Sequence, residues 1–305
     1  MKLYAPKYYK DFRCIADACR HSCCIGWEID IDPETLCLYR KQKGAFAKRL
    51  KENIVSEDGA HFRLDENERC PFLNEKGLCD IILTMGEESL SQICTDHPRF
   101  RNFFSDRTEL GLGLCCEEAC RLLLAQEEKL CLVSVGEDEE DVFPLDAFER
   151  EILAFREKLF AAIQDRSLPV CERIAHVFAL CDIPMPEKSI AEWADILLSL
   201  ERMDAAWEDV LTAWKSSPHE PSYRENEIAF EQLLWYFIYR HTASAEDLLD
   251  LRARGAFAAL SVFLIACLHA SEKTELAEIC RLYSAEIEYS EENTEALIAL
   301  LAENE

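Results

Sequence analysis

Residues 14–32 read CIADACRHSCCIGWEIDID, four cysteines within eleven positions followed by an alternating apolar and acidic run. If Cys19 to Cys24 were helical, Cys19 and Cys23 would share a face, while Cys24 would be turned by about 100° from Cys23. Adjacent cysteines of that kind aim at different targets. Working outward, Cys70, Cys79, Cys94 and Cys116 complete an ordered set of eight, and twelve of the chain's 16 cysteines fall within residues 1–131. In a reducing compartment, thiolates at this density are natural ligands for zinc or an iron–sulfur cluster. Eight sulfurs suit two four-coordinate sites, or one cluster with additional structural thiols. The spacing matches neither the paired CxxC of a zinc ribbon nor a ferredoxin run, and Gly26 stands where the CxxxCxxC pattern would need its third cysteine.

The compartment decides whether these cysteines read as ligands or as disulfides. Met1 to Phe12 is polar and tyrosine-rich without an apolar run of signal-peptide length, and the longest apolar stretch, Ala256 to Ala270, is too short to span a bilayer. These features predict a cytoplasmic chain with reduced cysteines and no membrane span. With 49% hydrophobic residues, 16 Phe and five Trp, there is ample material for a buried core.

Charge divides the chain. Residues 1–131 carry 19 basic and 23 acidic residues, net −4, whereas the remainder carries 14 and 36, net −22. So acidic a second half repels phosphates and excludes nucleic acid as a partner there, while it attracts cationic partners. The acidic run Glu137 to Asp141 marks a linker. The expected organisation is a cysteine-rich metal-binding domain over 1–131, an acidic linker over 132–143 and a helical domain over 144–305.

Mainly α is the fold class expected, with an irregular first domain containing a small β-hairpin and an all-α second domain. Pro144 is placed at a helix's first position, ahead of Leu145, Phe148, Ile152, Phe155 and Leu159 at helical spacing. Ser189 with Glu192 forms a capping box before a run from Trp193 to Trp214, and Ser244 with Asp247 marks another start. Further helices fit Ile228 to His241, Ala256 to Ala270, Glu272 to Glu288 and Ser290 to Ala302. Trp193, Trp207 and Trp214 read as core, Cys171, Cys181, Cys267 and Cys280 as small buried apolar residues, and His176 and His269 as structural or exposed.

In the first domain, Asp32 is an N-cap with Pro33 at N1 of a helix carrying Leu36, Tyr39 and Leu50. His61 to Leu64 and Cys70 to Leu73 read as short extended pieces around the turn Asp65 to Glu68, and the turn Asn74 to Gly77 brings Cys79 back toward Cys70. Glu87 to Cys94 reads as a short helix stopping near Pro98, and Cys116 to Lys129 as a longer one.

The whole arrangement resembles the flagellin lysine-N-methylase family, within a cysteine-rich CxxCxxCC group of zinc- or iron-chelating proteins. The residues that carry the resemblance are Cys14-x4-Cys19-x3-Cys23-Cys24, Gly26-Trp27, Ile29 to Asp32, Cys70-Pro71-Phe72-Leu73, Cys79-Asp80, Leu90-Ser91-x-Ile93-Cys94, Pro98-Arg99, Cys116 to Ala119 and Arg121 to Leu124. It covers about residues 4–125. The resemblance implies an enzyme that methylates surface lysines of flagellin, with S-adenosylmethionine as donor and an iron–sulfur cluster, 4Fe–4S or zinc in its place, held by Cys14, Cys19, Cys23, Cys24, Cys70, Cys79, Cys94 and Cys116. Two departures are visible: Cys115 precedes Cys116, so either thiol serves the last position, and His97 stands where a tyrosine is expected before Pro98.

Read without the resemblance, the residues give methyl transfer only partial support. Gly111-Leu112-Gly113 lacks the third glycine of a dinucleotide-type turn, so a donor site must be of another kind. Trp27, Asp30, Asp32 and Asp96 flank the cysteines and are candidates for a pocket wall, and the acidic second half would steer a lysine-bearing substrate. Two other classes fit the same cysteines: a non-catalytic zinc or iron–sulfur scaffold, and a redox or metal-handling protein.

Overall fold

A computed structural model of the chain describes residues 1–57, 59–271 and 274–303. The fold is mainly α, with thirteen α-helices and six short strands among the described residues. The chain divides into two compact units, Met1–Phe12 with Arg101–Glu305, and Arg13–Phe100. The cysteine-rich stretch is therefore an insertion after the first strand rather than a leading domain ending at 131.

In the larger unit, β1 (Lys2–Pro6) joins β4 (Arg99–Phe104), β5 (Arg107–Leu112) and β6 (Leu132–Glu137) in a sheet of order β4-β5-β1-β6. β1 runs parallel to β5, pairing Lys2 with Arg107, and antiparallel to β6, pairing Pro6 with Leu132. The expected acidic linker at 132–143 is thus half strand. Its like-charge repulsion is met locally, because the Met1 ammonium lies 3.2 Å from the Asp138 carboxylate and donates to the Asp138 and Glu140 carbonyls.

Helices build the rest of this unit: α5 (Glu117–Leu124), α6 (Ala147–Ile163), α7 (Val170–Cys181), α8 (Ile190–Ser199), α9 (Ala205–Ser216), α10 (Glu227–His241), α11 (Leu248–Ser271), α12 (Leu276–Tyr283) and α13 (Glu291–Ala302). The capping box Ser189/Glu192 opens α8 as expected. At α6 the cap is Asp146 with Glu149, two residues beyond the expected Pro144 start. The long Trp193–Trp214 pattern is broken into α8 and α9. Glu286, fully buried, accepts the backbone N–H groups of Met203 and Asp204 and so stabilises the break. Trp193, Trp207 and Trp214 are all fully buried. Cys171 is exposed, against expectation, while Cys181, Cys267 and Cys280 are buried. The expected start at Glu272 lies outside the described residues; α12 begins at Leu276 and runs into a π-turn over Ser284–Glu288.

The helix expected over Ala256–Ala270 begins instead at Leu248, giving α11 24 residues. By length and composition alone, α11 could cross a membrane, with a mean hydropathy of 1.7 over its most apolar 18 residues, but 89% of that window is buried. It packs on α7, α10 and α13 as the core helix, buried around most of its circumference. Its tightest point is Gly255, where a β-carbon would meet Cys181 Sγ at 2.7 Å and Leu159 at 3.3 Å.

Apart from Glu286, the buried carboxylates among the described residues of this unit face opposite charge. Arg156, 2% exposed, donates through both terminal nitrogens to Glu109, 0% exposed, at 2.7 and 2.6 Å, with its guanidinium over the rings of Phe104, Phe160 and Tyr239. Glu231 accepts from Arg166 and Arg173. Glu288 faces Arg240, His241 and the Tyr236 hydroxyl.

The smaller unit contains α1 (Pro33–Lys41), α2 (Ala45–Glu52), α3 (Asp80–Met85), α4 (Gln92–Asp96) and the two-residue strands β2 (Ile54–Val55) and β3 (His61–Phe62). Asp32 caps α1 as expected, its Oδ1 accepting from Thr35, but the single helix expected through Leu50 is broken by Gly44. The small hairpin expected between Cys70 and Cys79 is present in short form, the Asn74–Gly77 turn closing an antiparallel Leu73–Cys79 bridge; β2 pairs with β3 beside it, and isolated bridges join Ile25–Arg69 and Asp30–His61. Glu87–Ser89 forms a 3-10 turn separate from α4. Ile29, Ile31, Tyr39, Leu50, Phe62, Phe72 and Ile81 form its core around Cys70.

Replacing Arg156 with Met strands the Glu109 carboxylate in the core and is expected to cost about 3–5 kcal/mol in urea unfolding. The double variant Arg156→Met/Glu109→Leu is expected to recover most of that loss. Equal losses in both would contradict the pairing.

Candidate functional site

Four cysteines come from three separate segments of the smaller unit onto one core. Cys24 lies in the turn region after the first cysteines, Cys70 and Cys79 flank the loop closed by the Leu73–Cys79 bridge, and Cys94 sits in α4. Cys70 is in the buried apolar cluster, and Cys24, Cys79 and Cys94 pack against it. The turn that returns Cys79 is built by Asn74, whose Oδ1 accepts from the Lys76 and Leu78 N–H groups, and by Gly77 at φ +74°. Arg49 bolts the same loop from outside, donating to Asp80 and to the Pro71 carbonyl, both at 2.6 Å.

The electrostatics of the four thiols divide them. Burial pushes Cys70 up to about 12, against the Phe72 N–H that points at its sulfur. Burial raises Cys79 too, opposed by the N–H groups of Ile82 and Ile81 at the start of α3. Cys94 is pushed up to about 11 by burial, with the Ser91 side chain acting in the other direction. Cys24 moves the other way, drawn down to about 7 by its hydrogen bond with Cys23, with Ser22 and Arg69 adding to the effect. Each of Cys70, Cys79 and Cys94 also feels the charge of Cys24, so the four titrate within one neighbourhood.

That donor set fits a soft cation. It offers four sulfurs, with backbone N–H groups directed at two of them, the kind of donor that supports a thiolate bound to metal. As placed, the sulfurs share this neighbourhood without closing on a point: no group of three or more His, Cys, Asp or Glu among the described residues is drawn tightly enough together to hold an ion.

The other four expected ligands lie differently. Cys19 to Cys24 is not helical; a 3-10 turn covers Ala16–Ala18 and irregular turns follow. Cys14 is exposed, its sulfur accepting the Ala16 N–H at 3.4 Å. Cys19 donates to the His21 carbonyl at 3.1 Å. Cys23 is exposed and bonded to Cys24. Cys116 is the N-cap residue of α5, in the larger unit. Cys115, its neighbour, is pushed up to about 12 by burial beside Tyr289 and Arg240.

Of the four flanking candidates, Asp32 is fully engaged: Oδ1 caps α1 and Oδ2 accepts the Gln92 N–H, so it ties α1 to the helix of Cys94 and is removed as a proton acceptor. Trp27 is half-buried, donates to the Cys23 carbonyl at 2.7 Å and stacks on His97 at 6.1 Å. Burial beside Arg99 pulls His97 down to about 4, so it is neutral at physiological pH. Asp96 accepts from Gln92 Nε2, and Asp30 is exposed. Sequence reasoning missed Tyr39, whose hydroxyl donates to the Ser89 carbonyl at 2.7 Å and whose ring lies within electrostatic reach of Cys94, Cys79 and Cys70. Its signal was only that of a core aromatic.

Over 134 residues the chain is 27% identical to lysine-N-methylases of Salmonella choleraesuis and Salmonella typhimurium, and 28% identical to the flagellar biosynthetic protein FliU of Salmonella muenchen. The match takes in 42% of this chain, 33% of each methylase and 79% of FliU. This chain therefore matches about a third of the length of those methylases. No family model matches, and no solved structure matches.

In protein stripped of metal, alkylation by iodoacetamide is expected to label Cys24 as pH rises through about 7, well before Cys94 at about 11 and Cys70 at about 12. Peptide mapping across a pH series checks the order. Labelling of Cys70 before Cys24 would contradict it.

Proposed function

We propose that this protein is a protein-lysine N-methyltransferase that acts on flagellin, with S-adenosylmethionine as donor and a metal centre, iron–sulfur or zinc, in the cysteine-rich unit. The observation that carries the reading is the similarity to the Salmonella lysine-N-methylases together with the gathering of Cys24, Cys70, Cys79 and Cys94 on one core. The flagellar name of the third relative supports flagellin as the substrate.

These four cysteines would hold the metal, and a bound metal would supply Lewis acidity and fold stabilisation. Loading must displace the protons that burial keeps on Cys70, Cys79 and Cys94, so metal affinity falls as pH falls. Methyl transfer needs a neutral lysine amine, aligned with the donor sulfonium and relieved of its proton. Asp30 and Asp96, two of the carboxylates flanking the cysteines in sequence, do not cap helices, and they are assigned to accepting that proton. Trp27 and neutral His97 form a stacked pair that offers an apolar wall to the lysine stem. The strongly acidic second half attracts a lysine-bearing protein.

A second reading has its own support. Cys70 is 6% exposed in the apolar core, where a metal would act as a staple without catalysis. Incubating metal-loaded protein with flagellin and S-adenosylmethionine separates the two. The enzyme reading expects lysine peptides heavier by about 14 Da per methyl group, lost in Cys70→Ala/Cys79→Ala. Unmodified flagellin alongside fully loaded, folded protein would leave the scaffold.

A further inference from the structure

We propose that the groove between α1 and α2 is a binding site for a small polyanion that carries phosphate groups on an apolar body. The site lies within the smaller unit and stands whether or not the thiols hold metal.

The groove encloses about 700 Å³, within the range of small-molecule sites. Its floor is apolar: Tyr39 and Leu50 are buried, and Leu36 is half-buried. Around that floor stand Arg40, Lys48 and Lys51, all exposed, and no acidic side chain lines the groove. These cations belong to residues 40–51, which carry six basic residues and no acidic one in a chain of net charge −26. Helix dipoles account for basic residues in the last turns of α1 and α2, namely Arg40, Lys41, Arg49 and Lys51. They do not account for Lys43 or Lys48, or for the exclusion of acid from the whole stretch. Internal pairing uses little of this charge. Arg49 turns away to Asp80 and Pro71, and Lys48 lies 3.6 Å from exposed Glu52. No ion pair to Arg40 or Lys51 occurs among the described residues.

The chemistry selects the ligand class. Arg40, Lys48 and Lys51 line one groove with groups suited to phosphate oxygens, the guanidinium by its fork of donors and the ammoniums as point charges. A long nucleic acid would extend onto a chain whose overall charge repels it, whereas a small anion feels mainly charges within about 8–10 Å at physiological salt. The apolar floor provides a surface for a nucleoside-like or other planar body. Gly44, at φ +84° between the helices, makes the tight turn that sets the two basic helix faces beside each other.

Isothermal titration of the full chain at low salt, with ATP and with inorganic pyrophosphate as probes, tests the site. One-to-one saturable binding is expected, weakened about tenfold or more in Lys48→Glu/Lys51→Glu. Lys129→Glu/Lys158→Glu, the same change in net charge at exposed positions of the larger unit, is expected to leave it unchanged. ATP binding tighter than pyrophosphate means the apolar floor is engaged; equal affinities mean the phosphates alone are read. Absence of binding by both probes, affinity indifferent to the groove substitutions, or equal weakening by the distant pair overturns the proposal. So does capture of a polyglutamate peptide with neither phosphate bound. Thermal melts confirm that the variants fold, and Arg40→Gln replaces the double variant if it does not.

Discussion

A thiol can be buried cheaply while it keeps its proton and only at great cost once it is charged, unless a cation shares the burial. The smaller unit is organised around that asymmetry. Protonated, Cys70 and Cys94 pack as small apolar groups among Phe72, Leu73 and Ile81; as thiolates they need a partner. An 88-residue unit with short helices and two-residue strands has little regular structure to hold its loops. No disulfide occurs among the described residues, and the loops are pinned by Asp32, Asn74, Asp80 and Arg49. Those pins set the positions of the loops that carry the cysteines.

The larger unit solves a different problem. With many more carboxylates than cations, it matches the buried Glu109, Glu231 and Glu288 with arginine, holds Glu286 on backbone N–H groups, and keeps most of its acidic excess elsewhere. The two helices buried around most of their circumference, α10 and α11, supply the centre on which the others pack. The result is a solvated acidic exterior over a core rich in tryptophan.

Local signals in the sequence transferred well where the physics was local. Asp32-Pro33 and Ser189-x-x-Glu192 are caps because their side chains reach backbone N–H groups three residues away. The turn from Asn74 to Gly77 was legible for the same reason. What could not be read depends on distant partners. β1 and β6 are short, weakly alternating segments that become strands only by pairing across more than a hundred residues. The break between α8 and α9 is held by Glu286, far along the chain, and the insertion of the cysteine-rich unit after β1 hides behind a charge shift that falls elsewhere. For the site, cysteine spacing offered eight candidate ligands without ranking them. Burial and hydrogen bonding single out Cys24, Cys70, Cys79 and Cys94, place Cys116 in the other unit, and bring in Tyr39.

The most direct test of this account is metal and acid-labile sulfide analysis of anaerobically purified protein, set beside a Cys70→Ala/Cys79→Ala variant. The account predicts stoichiometric iron with sulfide, or zinc, in the parent protein and its loss from the variant. A folded parent protein that methylates flagellin with no bound metal, or a variant that keeps its full metal content, would contradict it.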